Sequence, residues 1–209
     1  MNRMHFGLRL LLGIMGVLLL GACQRSREGS PTDGQLSGPY YTNRFFGLSI
    51  RVPSGWTVSE LKPTFVPPKN SPRPPPPKSS AQSAYQLLML SEKPLSTAQV
   101  NNGSLLVMAE EAAKVPGVKS ARDYLARVSQ LMIDAPIAYH PVAGMVETKL
   151  GGTPAWRMDF TARLGPNKTV NQTYIVCQRH GYALSFILSG TTPAEIQRLE
   201  QVVQAARFE

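Results

Sequence analysis

From Met145 to Leu188 the chain breaks into four short runs of alternating apolar and polar residues, each bounded by a turn signal. Met145 to Leu150 leads into Gly151-Gly152, and Ala155 to Ala162 then sets Trp156, Met158 and Phe160 on one face. Gly165-Pro166-Asn167 turns the chain into Thr169 to Gln178. His180-Gly181 turns it again into Tyr182 to Leu188, with Leu184, Phe186 and Leu188 inward. A period of two is the pleat of a β-strand, and strands joined by such short links pair as an antiparallel meander.

Helical spacing appears twice. Ser120 stands where an N-cap belongs, with Asp123 three residues on, and Ala121, Tyr124, Leu125, Val128, Leu131 and Met132 form the predicted buried stripe. Thr192-Pro193-Ala194-Glu195 reads as a capping box with proline at the first helical position. Ile196, Leu199, Val202, Val203 and Ala206 continue it as an apolar stripe. Upstream, Tyr40 to Val52 predicts two short strands around Asn43-Arg44, with Phe46, Leu48 and Ile50 alternating. Pro53-Ser54-Gly55 then turns the chain, and Trp56 is expected to pack the end of this unit. Ala84 to Leu90 and Ser104 to Ala109 predict two more strands, separated by a polar loop with Asn101-Asn102-Gly103 as its turn. No period repeats at solenoid length.

The N-terminus carries a different signal. Arg3 and Arg9 precede an apolar run from Leu10 to Leu20, and Leu20-Gly21-Ala22-Cys23 follows. A run of about 11 residues is short of the roughly 20 that a helix needs to cross the hydrocarbon core, but it suits a secretory leader. Small Gly21 and Ala22 let a membrane peptidase close on the backbone, and the Cys23 thiol is a nucleophile able to accept a diacylglycerol. The quartet resembles the lipobox of bacterial lipoproteins. The resemblance implies cleavage after Ala22, lipidation of Cys23 with palmitate-type chains, and a mature chain of 187 of the 209 residues. Two or three acyl chains hold a protein permanently, where one gives only reversible attachment. Gln24 replaces the aspartate that resembles an inner-membrane retention signal, which leans the address toward an outer membrane facing the periplasm. The choice between inner and outer membrane stays open. Residues 23–39 are polar and rich in glycine and serine, and predict a flexible tether of roughly 22 Å average reach. One domain of about 170 residues remains after it, enough for a real core.

Between Lys62 and Lys78 stand eight prolines, including Pro74-Pro75-Pro76-Pro77, with four basic residues and no acid. Proline fixes φ and lacks a backbone donor, so residues 62–78 read as an extended polyproline insertion outside the core. Lys69, Arg73 and Lys78 are the candidate partner-binding residues, set to meet an acidic or aromatic surface. A spacer loop without affinity is the plainer reading of the same composition.

Charge points in the same direction. Without Arg3 and Arg9 the chain keeps 20 basic residues against 13 acidic ones, a net +7. A secretory leader removes nucleic acid as a partner and leaves anionic lipid or envelope polymers, with plain solubility as the simpler account.

Catalytic signals are sparse. The histidines after the leader are His140 and His180, forty residues apart and both read at turns. There is no H-E-x-x-H, no C-x-x-C and no calcium-loop spacing, so neither metal nor cofactor is expected. Ser185 and Ser189 lack a G-x-S-x-G elbow. Asp159 lies near Arg157 and Arg163, which suggests an ion pair, and adjacent Glu110 and Glu111 should face opposite ways. With Cys23 consumed by lipid, Cys177 has no disulfide partner and reads as a small buried hydrophobe. Arg179 and His180 nearby keep a reactive thiol open as the alternative.

The order Tyr41-x-Asn43-x-x-Phe46-Gly47-Leu48-Ser49-Ile50-x-x-Pro53-x-Gly55-Trp56 is similar to the opening of PsbP-like domains. Leu150-Gly151-Gly152-Thr153-Pro154-Ala155 entering a strand, then a hairpin and a final helix, resembles their later half. The family includes bacterial lipoproteins of the DcrB type. The resemblance implies an α+β fold over residues 40–209: an α/β/α sandwich with a central, mostly antiparallel sheet and at least two flanking helices. It also implies non-enzymatic attachment to a larger assembly, and the proline-rich insertion departs from the pattern. The expected function is a non-catalytic, lipid-anchored envelope protein that docks on or stabilises a membrane-associated complex. A ligand-binding module for a small molecule or lipid is the alternative, and a hydrolase comes last.

Overall fold

A computed structural model describes residues 29–59, 84–94, 102–135, 137, 139–166 and 168–209. The expected leader, Ala22, Cys23 and the proline-rich insertion with Lys69, Arg73 and Lys78 lie outside the described residues.

Two antiparallel sheets carry the fold. The smaller has the order β1 (Gly34–Ser37), β2 (Tyr40–Asn43), β3 (Leu48–Arg51) and, last, β12 (Arg207–Phe208). The larger runs β4 (Thr57–Val58), β5 (Ala84–Ser91), β6 (Ser104–Glu111), β11 (Tyr182–Gly190), β10 (Lys168–Arg179), β9 (Thr153–Gly165). Its far edge is shared by β7 (Tyr139–Pro141) and β8 (Val146–Leu150), which pair with different stretches of β9. The meander β9-β10-β11 forms as the alternation predicts, with Cys177 paired to both Ala155 and Leu184.

Pleating divides the apolar residues of the large sheet between two layers. On one face Met158, Phe160, Tyr174, Val176 and Ala183 pack under helix α1 (Ala121–Ile133), against Ala121, Tyr124 and Leu125. On the other, Ala155, Ile175, Cys177, Leu184, Phe186 and Leu188 meet Leu199, Val202 and Val203 of helix α2 (Pro193–Gln204). The inner face of the small sheet, Tyr41, Leu48 and Ile50, closes the same core beside α2. This second core holds twenty-one buried residues against eight under α1, so the α2 side carries most of the hydrophobic stabilisation. The result is an α/β/α sandwich whose second outer layer is a helix joined by a small sheet.

Both predicted caps form. The Ser120 side chain accepts from Asp123 N, and Thr192 and Glu195 make a reciprocal capping box. Leu131 departs from the predicted stripe and is 46% exposed: the buried arc of α1 runs through Leu125, Val128 and Met132 and takes in Ser129, which leaves Leu131 at its opposite edge. His140 lies in edge strand β7 rather than in a turn.

Part of the stretch 23–39, expected as a tether, is strand. Residues 34–37 form β1 and pair with β2 from Gly34↔Asn43 to Ser37↔Tyr40. Asn43, 1% exposed, explains this. Its Nδ2 donates to Pro31 O at 2.8 Å while its Oδ1 accepts from Phe46 N at 3.2 Å. One buried amide thereby fastens the incoming polar segment to the turn between β2 and β3.

Candidate functional site

The glycine and histidine motifs of the sequence converge at one end of the sandwich, around β12. Glu209 N donates to Gly47 O at 2.9 Å. Gly47 has φ +63, and a side chain there would run into the main-chain oxygen of Glu209. Gly151, in the turn from β8 to β9, has φ +53, and its Cβ would lie 2.8 Å from Ala206 O. Glycine is required at both positions by conformation and by space. Arg179, at the end of β10, donates through Nη2 to Phe46 O at 3.3 Å and to Glu209 O at 3.0 Å. Its guanidinium also sits 5.0 Å from the centre of the Phe208 ring.

His180 completes this latch. Its Nδ1 lies 2.6 Å from Phe45 O, and a carbonyl only accepts, so Nδ1 carries the hydrogen. Its ring stacks on Phe46 with centroids 6.4 Å apart. Every one of these contacts holds a turn or a chain end. The adjoining hollow of about 400 Å³ is walled by Gly151, Gly152 and residues 204–209.

A second concave place of about 350 Å³ lies between α2 and strands β9 and β10. Arg157 Nε is 3.1 Å from both oxygens of Asp159, and its Nη2 is 2.6 Å from Glu200 Oε1. Thr173 Oγ1 donates to Asp159 Oδ1. Burial works against the Arg157 charge, but the hydrogen bonds and charges of the two carboxylates outweigh it and raise its pKa. The predicted pairing of Asp159 with Arg157 therefore forms, and Glu200 joins it from 43 residues away, which sequence spacing gives no means of finding. Arg163 is exposed further along β9, paired with Thr169. A Thr-Asp pair has the composition of an activated nucleophile, yet Thr173 is 2% exposed at the base of the groove and its hydroxyl is held by Asp159. Val142, Phe160 and Ile196 complete the wall, so the groove offers a half-buried ion cluster on an apolar floor with one net negative charge.

The remaining candidates are dispersed. His140 pairs with Thr161 near one end of β9 and His180 lies beyond Cys177↔Ala155 at the other, so six residues of strand, about 20 Å, separate them. Glu110 and Glu111 face opposite ways as expected: Glu110 accepts from Tyr124 Oη at 2.9 Å, and Glu111 pairs with Lys114 at 2.6 Å. Ser185 is buried and Ser189 accepts from Gln172 Nε2 at 3.0 Å. Cys177 is fully buried, and burial pushes its thiol up to about 12 against a smaller opposing pull from Arg179. Its neighbourhood is that of a packing residue. Among the described residues no three metal-ligating side chains converge, and no helix is long and apolar enough to cross a membrane.

No protein-family model matches the sequence, and neither does any curated protein. Solved structures do. The solution structure of cyanobacterial PsbP (CyanoP) from Synechocystis sp. PCC 6803 aligns with a TM-score of 0.52 at 14% identity, covering 91% of this chain and 99% of that one. A Pseudomonas aeruginosa protein of unknown function, PA94, aligns at 18% identity over 73% of this chain and 96% of its own, with a TM-score of 0.41. With its strand order, its two helices on opposite faces and its span of nearly all of CyanoP, the chain has the PsbP-like fold.

Proposed function

We propose that this chain is a non-catalytic lipoprotein of the bacterial envelope, anchored through acylated Cys23, that docks on or stabilises a membrane-associated complex. The observation that carries the reading is the joining of a lipobox-like leader to a PsbP-like fold whose described residues start at Gly29. Six residues extended at roughly 3.5 Å each span about 20 Å, which keeps the sandwich beside the bilayer. The fold suits an accessory role: its polar motif residues close turns and chain ends. Lys69, Arg73 and Lys78 are the proposed contacts to a partner.

Globomycin treatment tests the anchor. It should leave the uncleaved precursor, and Cys23→Ser should release the chain from the membrane fraction. Unchanged processing or an equally membrane-bound product of the same size overturns it. Crosslinking and pull-down of the acylated protein should then enrich one complex. A deletion of residues 63–77 that leaves every partner in place retires the role of the basic proline-rich segment.

The groove between α2 and β9 supports a second reading, a binding module for a small cationic molecule. Native mass spectrometry of the full chain should then show added mass that Arg157→Ala or Glu200→Gln abolishes. An unmodified mass throughout excludes it.

A further inference from the structure

Among the described residues the outer face of the small sheet is largely exposed, and it carries aromatic and basic side chains. Tyr41, Leu48 and Ile50 point into the core, so the alternate positions Tyr40, Ser49 and Arg51 point away from it. Tyr40 is paired with Arg51, and Ser49 with Arg207, so an aromatic ring and two guanidinium groups share one face. Both arginines are exposed. The four strands of this sheet contain no aspartate or glutamate.

At the tip of the sheet, Gly38-Pro39 makes a two-residue turn between Ser37 and Tyr40, with Gly38 at φ +55 as a tight hairpin requires. Tyr40, 46% exposed, flanks this turn on the outer face level with Arg51, and Arg207 follows two positions along beside Ser49. Leu36, 53% exposed, pairs with Tyr41 and so lies one step further from the turn on the other face. An aromatic ring between guanidinium groups, with no acid in the sheet, matches the headgroup region of an anionic bilayer.

Position in the chain makes the same choice. β1 is the first element of the fold, and Leu36 stands thirteen residues after Cys23, at most about 45 Å along an extended backbone. We propose that the outer face of this hairpin end, Tyr40 with Arg51 and Arg207, rests on the headgroups of an anionic membrane and fixes how the domain is oriented beside its anchor. This rests on the lipoprotein reading above.

The test uses the full acylated chain reconstituted into vesicles that carry brominated acyl chains, with or without one-third phosphatidylglycerol. Tyr40→Trp adds a reporter to Trp56 and Trp156 at an exposed position. In anionic vesicles the added tryptophan should be quenched beyond the wild-type background. A basic residue at an anionic surface contributes roughly a fivefold gain in attachment, so Arg51→Gln with Arg207→Gln should weaken contact of the tip by about 25-fold. The unchanged flotation of these variants with the vesicles reads the anchor separately. A chain that floats with the vesicles but shows no added quenching, or equal quenching in neutral vesicles, overturns the tip assignment and leaves the anchor standing. A chain that fails to float overturns the anchor, and this proposal with it.

Discussion

The ring of Tyr41 fills the space in which Gly34 would carry a side chain. A Cβ at Gly34 would lie 2.6 Å from Tyr41 Cε2. Tyr41 is 1% exposed, wedged into the main core, so the ring has nowhere to retreat. Gly34→Ala should therefore cost about 1–3 kcal/mol, as overpacking of a filled site does. Gly144→Ala, where a Cβ meets nothing within 4 Å, should be close to neutral. Urea unfolding of the two variants checks this, and equal midpoints would refute the wedge.

Gly47 and Gly55 separate conformation from crowding. Both have positive φ, +63 and +81, and each should lose roughly 1–2 kcal/mol when replaced by alanine. A Cβ at Gly55 meets open space, whereas one at Gly47 collides with the backbone of Glu209. Gly47→Ala should be worse by an additional ~1–3 kcal/mol. Removing Glu209 from both variants should bring the two costs together. A gap that survives its removal places the strain elsewhere.

Glu195 predicts a pH dependence. It is 4% exposed at the start of α2 and accepts from Thr191 N at 2.7 Å and Thr192 N at 3.0 Å. Burial raises its pKa, but the hydrogen bonds from Thr191 and Thr192 outweigh that and leave it below the usual glutamate value. A folded-state pKa below the unfolded one adds stability that is present above about pH 4.3 and lost as pH falls through the folded value. Glu195→Gln should lower stability at neutral pH by about 1 kcal/mol and flatten the decline below that point. Thermal melts of both proteins across the acid range would show parallel curves if the carboxylate plays no part.

Cys177 should be inert. A fully buried thiol pushed up to about 12 carries almost no thiolate at pH 8. Iodoacetamide should label Cys177 in the Cys23→Ser chain only after denaturation. Labelling of the native chain at the rate of a free thiol would restore the reactive alternative raised by the neighbouring Arg179 and His180.

Legibility followed the distance over which each feature is decided. The capping box at Thr192 and Glu195 and the meander from Thr153 to Gly190 are settled by neighbours within a few residues, and both stood in the sequence. β1 did not, because Gly34-Gln35-Leu36-Ser37 has no strand composition of its own. Asn43, nine residues beyond Gly34, pins Pro31 just ahead of this segment, and Tyr41 packs against Gly34 itself. β12 is two residues long and exists through Ser49 and Leu48, more than 150 positions earlier. The groove was half legible: Asp159 and Arg157 are two apart on one strand face, while Glu200 arrives on α2 through tertiary packing. Leu131 has helical spacing from Tyr124 yet falls at the edge of the arc that packs.

The grip of Gly47, Gly151 and Arg179 on residues 206–209 ties distant stretches of sequence into one joint. Without β12 the small sheet lacks its fourth member, and the close backbone approaches at Gly47 and Gly151 have nothing to meet. Damage to any one partner therefore loosens that whole end of the sandwich rather than a single turn.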